Sequence, residues 1–329
     1  MTEALWIDLH AHPGRCFLAG LDHADPLVRM LGGEEIAAAL AAANAAGMAA
    51  VTLSTVADLR VLTPDPVRGL RAARQFKPDE AYADHRRQLD QISRAVEAAG
   101  AQVAVTATDV ESAQADGRTA VLLSCEGGDF LEGEIARLTE IKAAGASSLT
   151  LVHYRVNEIG DVQTEEPAHG GLTPFGREVV GECNRLGVIV DCAHATFETT
   201  LGVLEVSSQP IMISHSHLDH AERHHPRLLS DAHARAIAES GGLLGAWPSG
   251  VTSTSLDDFA DEVARMADLV GVDHVGIGTD MGANYRPVLT SYVDFARLPE
   301  LLASRGMGDT ETGQILGGNS LALLGHVVG

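Results

Sequence analysis

The sequence is short of cysteine, of positive charge and of long hydrophobic segments. Its four cysteines form no Cys-x-x-Cys pair and no dense pattern, which is typical of a protein in a reducing compartment. Lysine and arginine number 23 against 45 aspartates and glutamates, a formal charge of −22 in 329 residues. Because such a surface repels phosphate backbones and anionic lipid, we expect no nucleic-acid partner and no membrane partner.

The lack of long hydrophobic runs also argues against a membrane segment. No run reaches the roughly 20 apolar residues that a membrane-spanning helix needs. The apolar segment of a cleavable signal does not fit before His10, the first candidate functional residue. We therefore expect the protein to be cytoplasmic.

Short apolar segments alternate with amphipathic ones along the whole chain. We predict eight strands near residues 5–9, 49–54, 120–125, 147–152, 187–193, 210–214, 242–246 and 274–279. We predict helices at 33–46, 79–99, 131–144, 173–186, 197–207, 230–240, 256–270 and 290–304, and near 310–325. This order is typical of an α/β fold, the (β/α)8 TIM barrel.

The chain shows no internal boundary and one long connection. Since no linker or change in composition divides it, residues 1–329 are expected to form a single domain. The segment 55–119 is longer than one barrel connection requires. We predict an insertion in this region, after strands 1 and 2, with an extra helix and a short strand near 102–107.

Six of the predicted strands end on side chains that bind metal ions or move protons. His10 and His12 lie one residue apart at the end of the first strand, so both imidazoles point to the same side. Later strand ends supply Glu126, His153, His194, His215 and Asp280. The active site of a TIM barrel lies at the carboxyl ends of its strands. We therefore expect these side chains to meet at one end of the barrel.

The residue types favour a site for two divalent ions. His10 and His12 are expected to bind one ion, and His194 and His215 the other. Glu126 would contribute one carboxylate oxygen to each. A bridging carboxylate holds two ions roughly 3.5–4 Å apart, and a hydroxide shared between them is the expected nucleophile.

Three further groups have expected roles in binding and catalysis. His153 would donate a hydrogen bond to a carbonyl oxygen that becomes an oxyanion. Asp280 would take a proton from the attacking water and return it to the departing amine. Arg227 would bind a substrate carboxylate through two hydrogen bonds.

Two nearby residues leave their roles more open. His217 lies on the same predicted strand face as His215 and is the alternative metal ligand, although we favour His215. Asp191 ends another predicted strand and is assigned a supporting or structural role.

The segments that carry these residues follow one another along nearly the whole chain. They are Asp8 to His12, Cys125 to Gly128, Leu149 to His153, Gly171 to His194, Ser214 to Ser216, His225 to Arg227, Gly276 to Asp280 and Ile315 to Asn319. In this order they resemble the renal (membrane) dipeptidase family, zinc peptidases of the amidohydrolase-like superfamily. The block 171–194 is the most specific part of the resemblance.

The resemblance implies a barrel with two Zn²⁺ per subunit that hydrolyses dipeptides, often with a D-residue at the C-terminal position. It implies a homodimer as well. It assigns the same residues as above: metal ligands His10, Glu126, His194 and His215, substrate-binding residues His153 and Arg227, and the proton-transfer residue Asp280.

One position departs from the family pattern. The family has His-x-Asp where this chain has His10-Ala11-His12. His12 is a competent ligand, but the site loses one negative charge, which favours hydroxide over water and would draw Asp280 toward the first ion. That arrangement resembles the broader amidohydrolase superfamily.

The leading hypothesis is a zinc-dependent dipeptidase that cleaves a small dipeptide, such as L-Xaa-D-Xaa, with a metal-bridging hydroxide. The alternatives are an N-acyl amino acid amidohydrolase, which needs no free substrate amine, and a barrel that binds metal without catalysis. The joint presence of Glu126, His153 and Asp280 argues against the last of these.

Overall fold

The computed structural model describes residues 5–18, 26–31, 35–66, 69–221 and 224–329. Within them the chain forms the strands β1 (Ile7–Asp8), β2 (Ala50–Val56), β3 (Leu62–Asp65), β4 (Gly69–Ala72), β5 (Ala120–Glu126), β6 (Ala146–Thr150), β7 (Ile189–Asp191), β8 (Met212–Ser216), β9 (Leu243–Ala246) and β10 (Val275–Ile277). Eight of them form one parallel sheet in the order β1-β2-β5-β6-β7-β8-β9-β10. The eight predicted strands are therefore confirmed, with their ends shifted by a few residues.

The sheet closes into a barrel because its last strand meets its first. The N–H of Leu9 donates to the carbonyl of Ile277 at 2.9 Å. Just beyond the strand ends, the N–H of Asp280 donates to the carbonyl of His10 at 2.8 Å. The predicted (β/α)8 barrel is thus confirmed. Its closure brings His10, near the start of the sequence, next to Asp280, near its end.

Helices surround the barrel in the predicted order. They are α1 (Pro26–Leu31), α2 (Ile36–Ala45), α3 (Glu80–Ala98), α4 (Ala107–Ala115), α5 (Arg137–Ala143), α6 (Pro174–Leu186), α7 (Phe197–Val206), α8 (Asp231–Glu239), α9 (Leu256–Val270), α10 (Leu298–Ala303), α11 (Asp309–Gly313) and α12 (Asn319–Val327). The predicted helix at 33–46 corresponds to α2, and its first two residues lie outside the described residues. Among the helices so described, none is both long and apolar enough to cross a bilayer.

Three predicted helices differ from the observed ones in detail. The segment 131–144 begins as a 3₁₀ turn, Gly128–Leu131, and is α-helical only in α5. The segment 290–304 begins as the 3₁₀ turn Tyr292–Arg297 before α10. The segment 310–325 is divided into α11 and α12 by a π-helical stretch, Gln314–Gly318. Periodicity locates a helix but does not distinguish these tighter or wider turns.

The insertion lies between β2 and β5 and consists of the antiparallel hairpin β3–β4, α3 and α4. The predicted extra helix is present. The predicted strand near 102–107 is wrong, since Val103 forms only an isolated bridge with Val121. The chain turns into α4 instead because Thr106 and Asp109 form a capping box that begins a helix at Ala107.

The amino end of the barrel is filled with aliphatic side chains. These come from six of the barrel strands and from α12, and include Ile7, Leu9, Ala50, Ala120, Leu122, Ile189, Met212, Leu243, Leu323 and Leu324. A larger apolar cluster packs between the strands and the surrounding helices. Because the amino end is closed by hydrocarbon, the polar interior of the barrel lies at its carboxyl end.

The strands β8 and β9 approach each other unusually closely beside the polar end. Their pairing shifts register between Ile213 and Ser216. A Cβ atom on Gly245 would lie 1.8 Å from the carbonyl oxygen of Ser214, a backbone atom that cannot rotate away. Only glycine fits at this position of β9.

We expect Gly245→Ala to lower the free energy of unfolding by about 3 kcal/mol, because the added methyl group forces β8 and β9 apart. The matched control is Gly181→Ala in α6, where a Cβ atom meets nothing within 4 Å. That change should leave stability equal or raise it by up to about 1 kcal/mol. Urea denaturation of both variants measures the difference, and equal midpoints would contradict the close approach.

Candidate metal centre and active site

Five of the predicted ligands converge at the carboxyl end of the barrel around the carboxylate of Glu126. Its Oε1 atom lies 3.3 Å from His10 Nε2 and 3.2 Å from His194 Nε2. The same oxygen lies 3.6 Å from His215 Nε2. Its Oε2 atom lies 3.3 Å from His12 Nε2. All five side chains are buried.

The strand geometry explains how residues far apart in sequence meet here. Glu126 is the last residue of β5, and His215 lies within β8. His10 and His12 follow β1 with the alternation expected of extended chain. His194 follows β7 by three residues and has a φ of 67°, a left-handed conformation that turns its side chain toward the barrel axis.

The four histidines predicted as ligands lie in two close pairs. The Nε2 atoms of His10 and His12 are 3.2 Å apart, and those of His194 and His215 are 3.1 Å apart. The Nδ1 atom of His12 lies 3.2 Å from the carbonyl oxygen of Ser54, which fixes the tautomer that leaves an Nε2 lone pair.

This donor set fits divalent metal ions. The Nδ1 atoms of His10 and His194 are buried without a hydrogen-bond partner among the described residues, so the polar contacts of these rings lie on their Nε2 side. Three groups of three residues each bring their ligand atoms within 4.8 Å of one another: His10, His12 and Glu126; Glu126, His153 and His194; and His10, His215 and Asp280. Imidazole nitrogen and carboxylate oxygen are the ligands that zinc takes in hydrolases.

The protonation of the cluster also suits metal binding. Burial opposes the charge of Glu126, but the imidazoles of His153 and His10 outweigh it, so its pKa lies well below the usual range. Burial lowers the pKa of both His194 and His215 well below the usual range. These three groups therefore have the deprotonated forms that bind metal.

His12 differs from the other ligands. Burial alone would lower its pKa, but the adjacent carboxylates of Asp280 and Glu126 outweigh burial and raise the pKa to about 10. Asp280 Oδ1 lies 3.4 Å from His12 Nε2. A divalent ion bound by His12 would take the place of that proton and meet the same two carboxylates.

His153 lies beside this cluster and has a partner that the sequence analysis missed. Its Nδ1 atom is 2.6 Å from Asp58 Oδ1, and its Nε2 atom is 3.5 Å from Glu126 Oε2. The other oxygen of Asp58 accepts a hydrogen bond from the Tyr154 N–H at 2.9 Å. Burial opposes protonation of His153, but Asp58 and Glu126 raise its pKa. Asp58 follows β2, whose predicted end at residue 54 stopped short of Val56 and hid this strand-end carboxylate.

Two other buried carboxylates support the ligands from behind. Asp191 accepts hydrogen bonds from the Ser214 N–H and hydroxyl at 2.9 and 2.7 Å, and the same hydroxyl lies 2.9 Å from His215 Nδ1. These contacts agree with the supporting role that the sequence analysis assigned to Asp191. Asp8, which the sequence analysis did not single out, accepts from both the N–H and the hydroxyl of Thr279 at 2.9 and 2.6 Å.

Arg227 is almost fully buried, with 1% of its surface exposed. Its Nη1 atom donates to Gln163 Oε1 at 2.9 Å, and its guanidinium lies 5.5 Å from the centre of the Trp247 ring. Tyr154 is a further hydrogen-bond partner of the guanidinium, whereas the buried Nε has no hydrogen-bond partner among the described residues. A buried cation of this kind is suited to a carboxylate from a ligand.

The structure brings His215 and not His217 into the cluster. The strand β8 ends at Ser216, and the ring of His217 lies 5.9 Å from that of Phe259 in α9. Burial lowers the pKa of His217 to about 4, so this ring is a neutral core group.

A cavity of about 990 Å³ opens above the cluster. Its lining includes His12, Glu126, His153, His194, His215, Arg227 and Asp280.

The sequence model of the membrane dipeptidase family, peptidase family M19, matches residues 37–328. The chain belongs to the membrane dipeptidase family. This confirms the resemblance drawn from the motifs, and the match extends over both histidines of the second pair, Glu126, Arg227 and Asp280.

The chain is similar to two curated proteins that are named dipeptidases. Dipeptidase aclJ of Aspergillus oryzae is 33% identical over 223 residues, which make up 64% of this chain and 52% of that protein. Dipeptidase verJ of Clonostachys rogersoniana is 28% identical over 275 residues, or 80% of this chain and 70% of that protein. The chain thus spans about half the length of the first of these relatives.

Solved structures share the fold of this family member over its full described length. A metallopeptidase of family M19, dipeptidase AC, superposes with a TM-score of 0.82 at 21% identity and covers 99% of each chain. A metallopeptidase from Rhodobacter sphaeroides superposes with a TM-score of 0.81 at 20% identity, again over 99% of each chain. At such identities the likeness establishes the common barrel.

The positions of His215 and His217 in this dipeptidase-family barrel lead to a direct test of the metal ligands. We expect His215→Gln to bind at least one zinc ion roughly 100-fold more weakly, because it removes a ligand nitrogen from the cluster. His217→Gln is the matched control, since it changes an equally buried histidine outside the cluster. Metal analysis after zinc loading and dialysis measures the stoichiometry. Loss of zinc from His217→Gln with full retention by His215→Gln would reverse the assignment.

Proposed function

We propose that the protein is a metal-dependent dipeptidase that hydrolyses a small dipeptide, with residues 1–329 acting as one barrel domain. The observation that carries this proposal is the convergence of two histidine pairs on the two oxygens of Glu126. Membership of the membrane dipeptidase family supports the reaction class. The Rhodobacter sphaeroides structure was solved with a phosphinate mimic of the dipeptide L-Ala-D-Ala, which supports a substrate of that size and stereochemistry.

The proposed metal ligands are the two histidine pairs and the glutamate between them. His10 and His12 would hold one zinc ion, His194 and His215 the second, and Glu126 would give one oxygen to each. When bound, such a pair of ions polarises a carbonyl group and lowers the pKa of water.

The remaining steps rest on the chain's own side chains. Arg227 would bind the free carboxylate of the dipeptide, because it is a buried guanidinium with donor capacity to spare. His153, whose ring is held by the carboxylate of Asp58, would donate a hydrogen bond from Nε2 to the oxygen of the scissile carbonyl.

Asp280 is proposed to carry the proton between the two halves of the reaction. Its carboxylate lies at the cavity, 3.4 Å from His12 Nε2. It would accept a proton as the water oxygen bonds to the carbonyl carbon, and return it to the nitrogen as the C–N bond breaks. The products are then two free amino acids.

A free amine distinguishes a dipeptide from an N-acyl amino acid. We expect the zinc-loaded protein to hydrolyse L-Ala-D-Ala and to lose at least about 10-fold in kcat/KM on its N-acetyl derivative. The physical reason is that the Asp280 carboxylate at the cavity presents negative charge to the ammonium group, and acetylation removes that attraction. Equal rates on both compounds would favour an amidohydrolase of N-acyl amino acids.

We expect Asp280→Asn to lower kcat by about 100-fold or more while the protein stays folded, because the amide cannot accept the proton. Asparagine tolerates the left-handed backbone at this position, where φ is 52°. Asp268→Asn, at an exposed site of α9, is the matched control and should keep full activity. Near-normal turnover by purified, zinc-loaded Asp280→Asn would exclude the proton-transfer role.

A further inference from the structure

The walls of the cavity differ in chemistry from one side to the other. A set of apolar side chains, here called the apolar compartment, consists of Phe17, Val56, Leu59, Leu70 and Ala283. They belong to an apolar cluster that is separate from the main core and lies over the cluster of histidines. This compartment is a wall of the cavity, not part of the barrel's interior packing.

The compartment comes mainly from segments that follow the first two barrel strands. Phe17 lies in a 3₁₀ turn after β1, and Val56 is the last residue of β2. Leu59 and Leu70 belong to the insertion, the latter in the hairpin strand β4. The ring of Phe17 lies 5.2 Å from the ring of His12, edge to face. The compartment therefore begins directly beside the first histidine pair.

The buried cation follows different strands from this compartment, and Tyr154 lies between the two, since it packs against the apolar cluster and shares a side-chain hydrogen bond with Arg227. Arg227 belongs to the connection after β8, and its partner Trp247 follows β9. In the closed sheet, β8 is the sixth strand, whereas the compartment follows the first and second. In a closed barrel of eight strands, the second strand is directly opposite the sixth, and the first is three strands away from it.

A dipeptide would lie between these two walls. Two residues of extended chain span about 7 Å, so a substrate whose carboxylate contacts Arg227 reaches over Glu126 toward His12. Its amine would then lie near Asp280, and the side chain of its N-terminal residue would meet the apolar wall. A cavity of about 990 Å³ leaves room for a large side chain there.

We propose that the apolar compartment binds the side chain of the N-terminal residue, so that the protein prefers dipeptides beginning with a large apolar residue such as leucine or phenylalanine. This inference rests on the proposed dipeptidase function. The five side chains of the compartment are hydrocarbon and carry no charge, so a charged or small N-terminal side chain gains nothing from them.

The expected preference follows from the area removed from water. Burial of a leucine side chain raises kcat/KM by about 10- to 100-fold over glycine. We expect this ratio between Leu-Ala and Gly-Ala, with Phe-Ala at least as good as Leu-Ala. A second series, Ala-Gly, Ala-Ala and Ala-Leu, should vary less, because the C-terminal residue lies on the side of Arg227.

The experiment measures both series with the zinc-loaded protein and with two variants. Leu70→Ala, on the partly exposed hairpin, should lower kcat/KM for Leu-Ala about 3- to 10-fold, mainly through KM, and affect Gly-Ala less. Leu201→Ala is the matched control, since this leucine of α7 is 42% exposed and outside the cavity. It should leave both series unchanged.

The outcomes separate this inference from the function on which it rests. If both series are cleaved but kcat/KM does not depend on the first residue, the inference is overturned and the dipeptidase function stands. A preference that follows the second residue and is lost in Leu70→Ala would reverse the orientation of the substrate and overturn the inference too. If zinc-loaded protein cleaves L-Ala-D-Ala but neither series, the inference is overturned and the dipeptidase function stands. If it cleaves none of these dipeptides, the proposed function fails together with the inference.

Discussion

The carboxylate of Glu126 is the group on which the polar end of the barrel depends. It contacts five imidazoles with its two oxygens and is buried with all of them. A carboxylate without such partners would be expensive to bury, and histidines packed at about 3 Å from one another repel unless a cation or proton lies between them. A metal ion held between the carboxylate and the imidazoles would satisfy both requirements, which is why this cluster is a candidate metal centre.

This centre is stabilised from behind by a ring of buried aspartates. Asp8, Asp58 and Asp191 each follow or end a strand, and each accepts several hydrogen bonds from the neighbouring strand or loop. Asp58 also fixes the ring of His153, and Asp191 reaches His215 through the hydroxyl of Ser214. Such partners determine which nitrogen of a histidine carries the proton. The orientation of the histidine rings therefore depends on contacts that join several strands and loops of the barrel.

The first histidine pair meets Asp280 across the closed seam of the sheet. The carboxylate of Asp280, which follows β10, lies 3.4 Å from Nε2 of His12, which follows β1. The insertion after β2 supplies Leu59 and Leu70 of the apolar compartment, and the connection after β8 supplies the buried Arg227. Segments outside the barrel strands therefore contribute much of the difference between the walls of the cavity.

The sequence by itself determined the barrel and the strand ends that carry Glu126, His194 and Asp280, because periodicity and strand alternation are local properties. It placed the insertion correctly but not its content, and the capping box at Thr106 outweighed the β-propensity that predicted a strand. Only the tertiary structure decided between His215 and His217, since strand β8 ends between them. It alone gave Asp58 its partner and the apolar compartment its place in one cavity with Arg227, because those contacts join segments far apart in the chain.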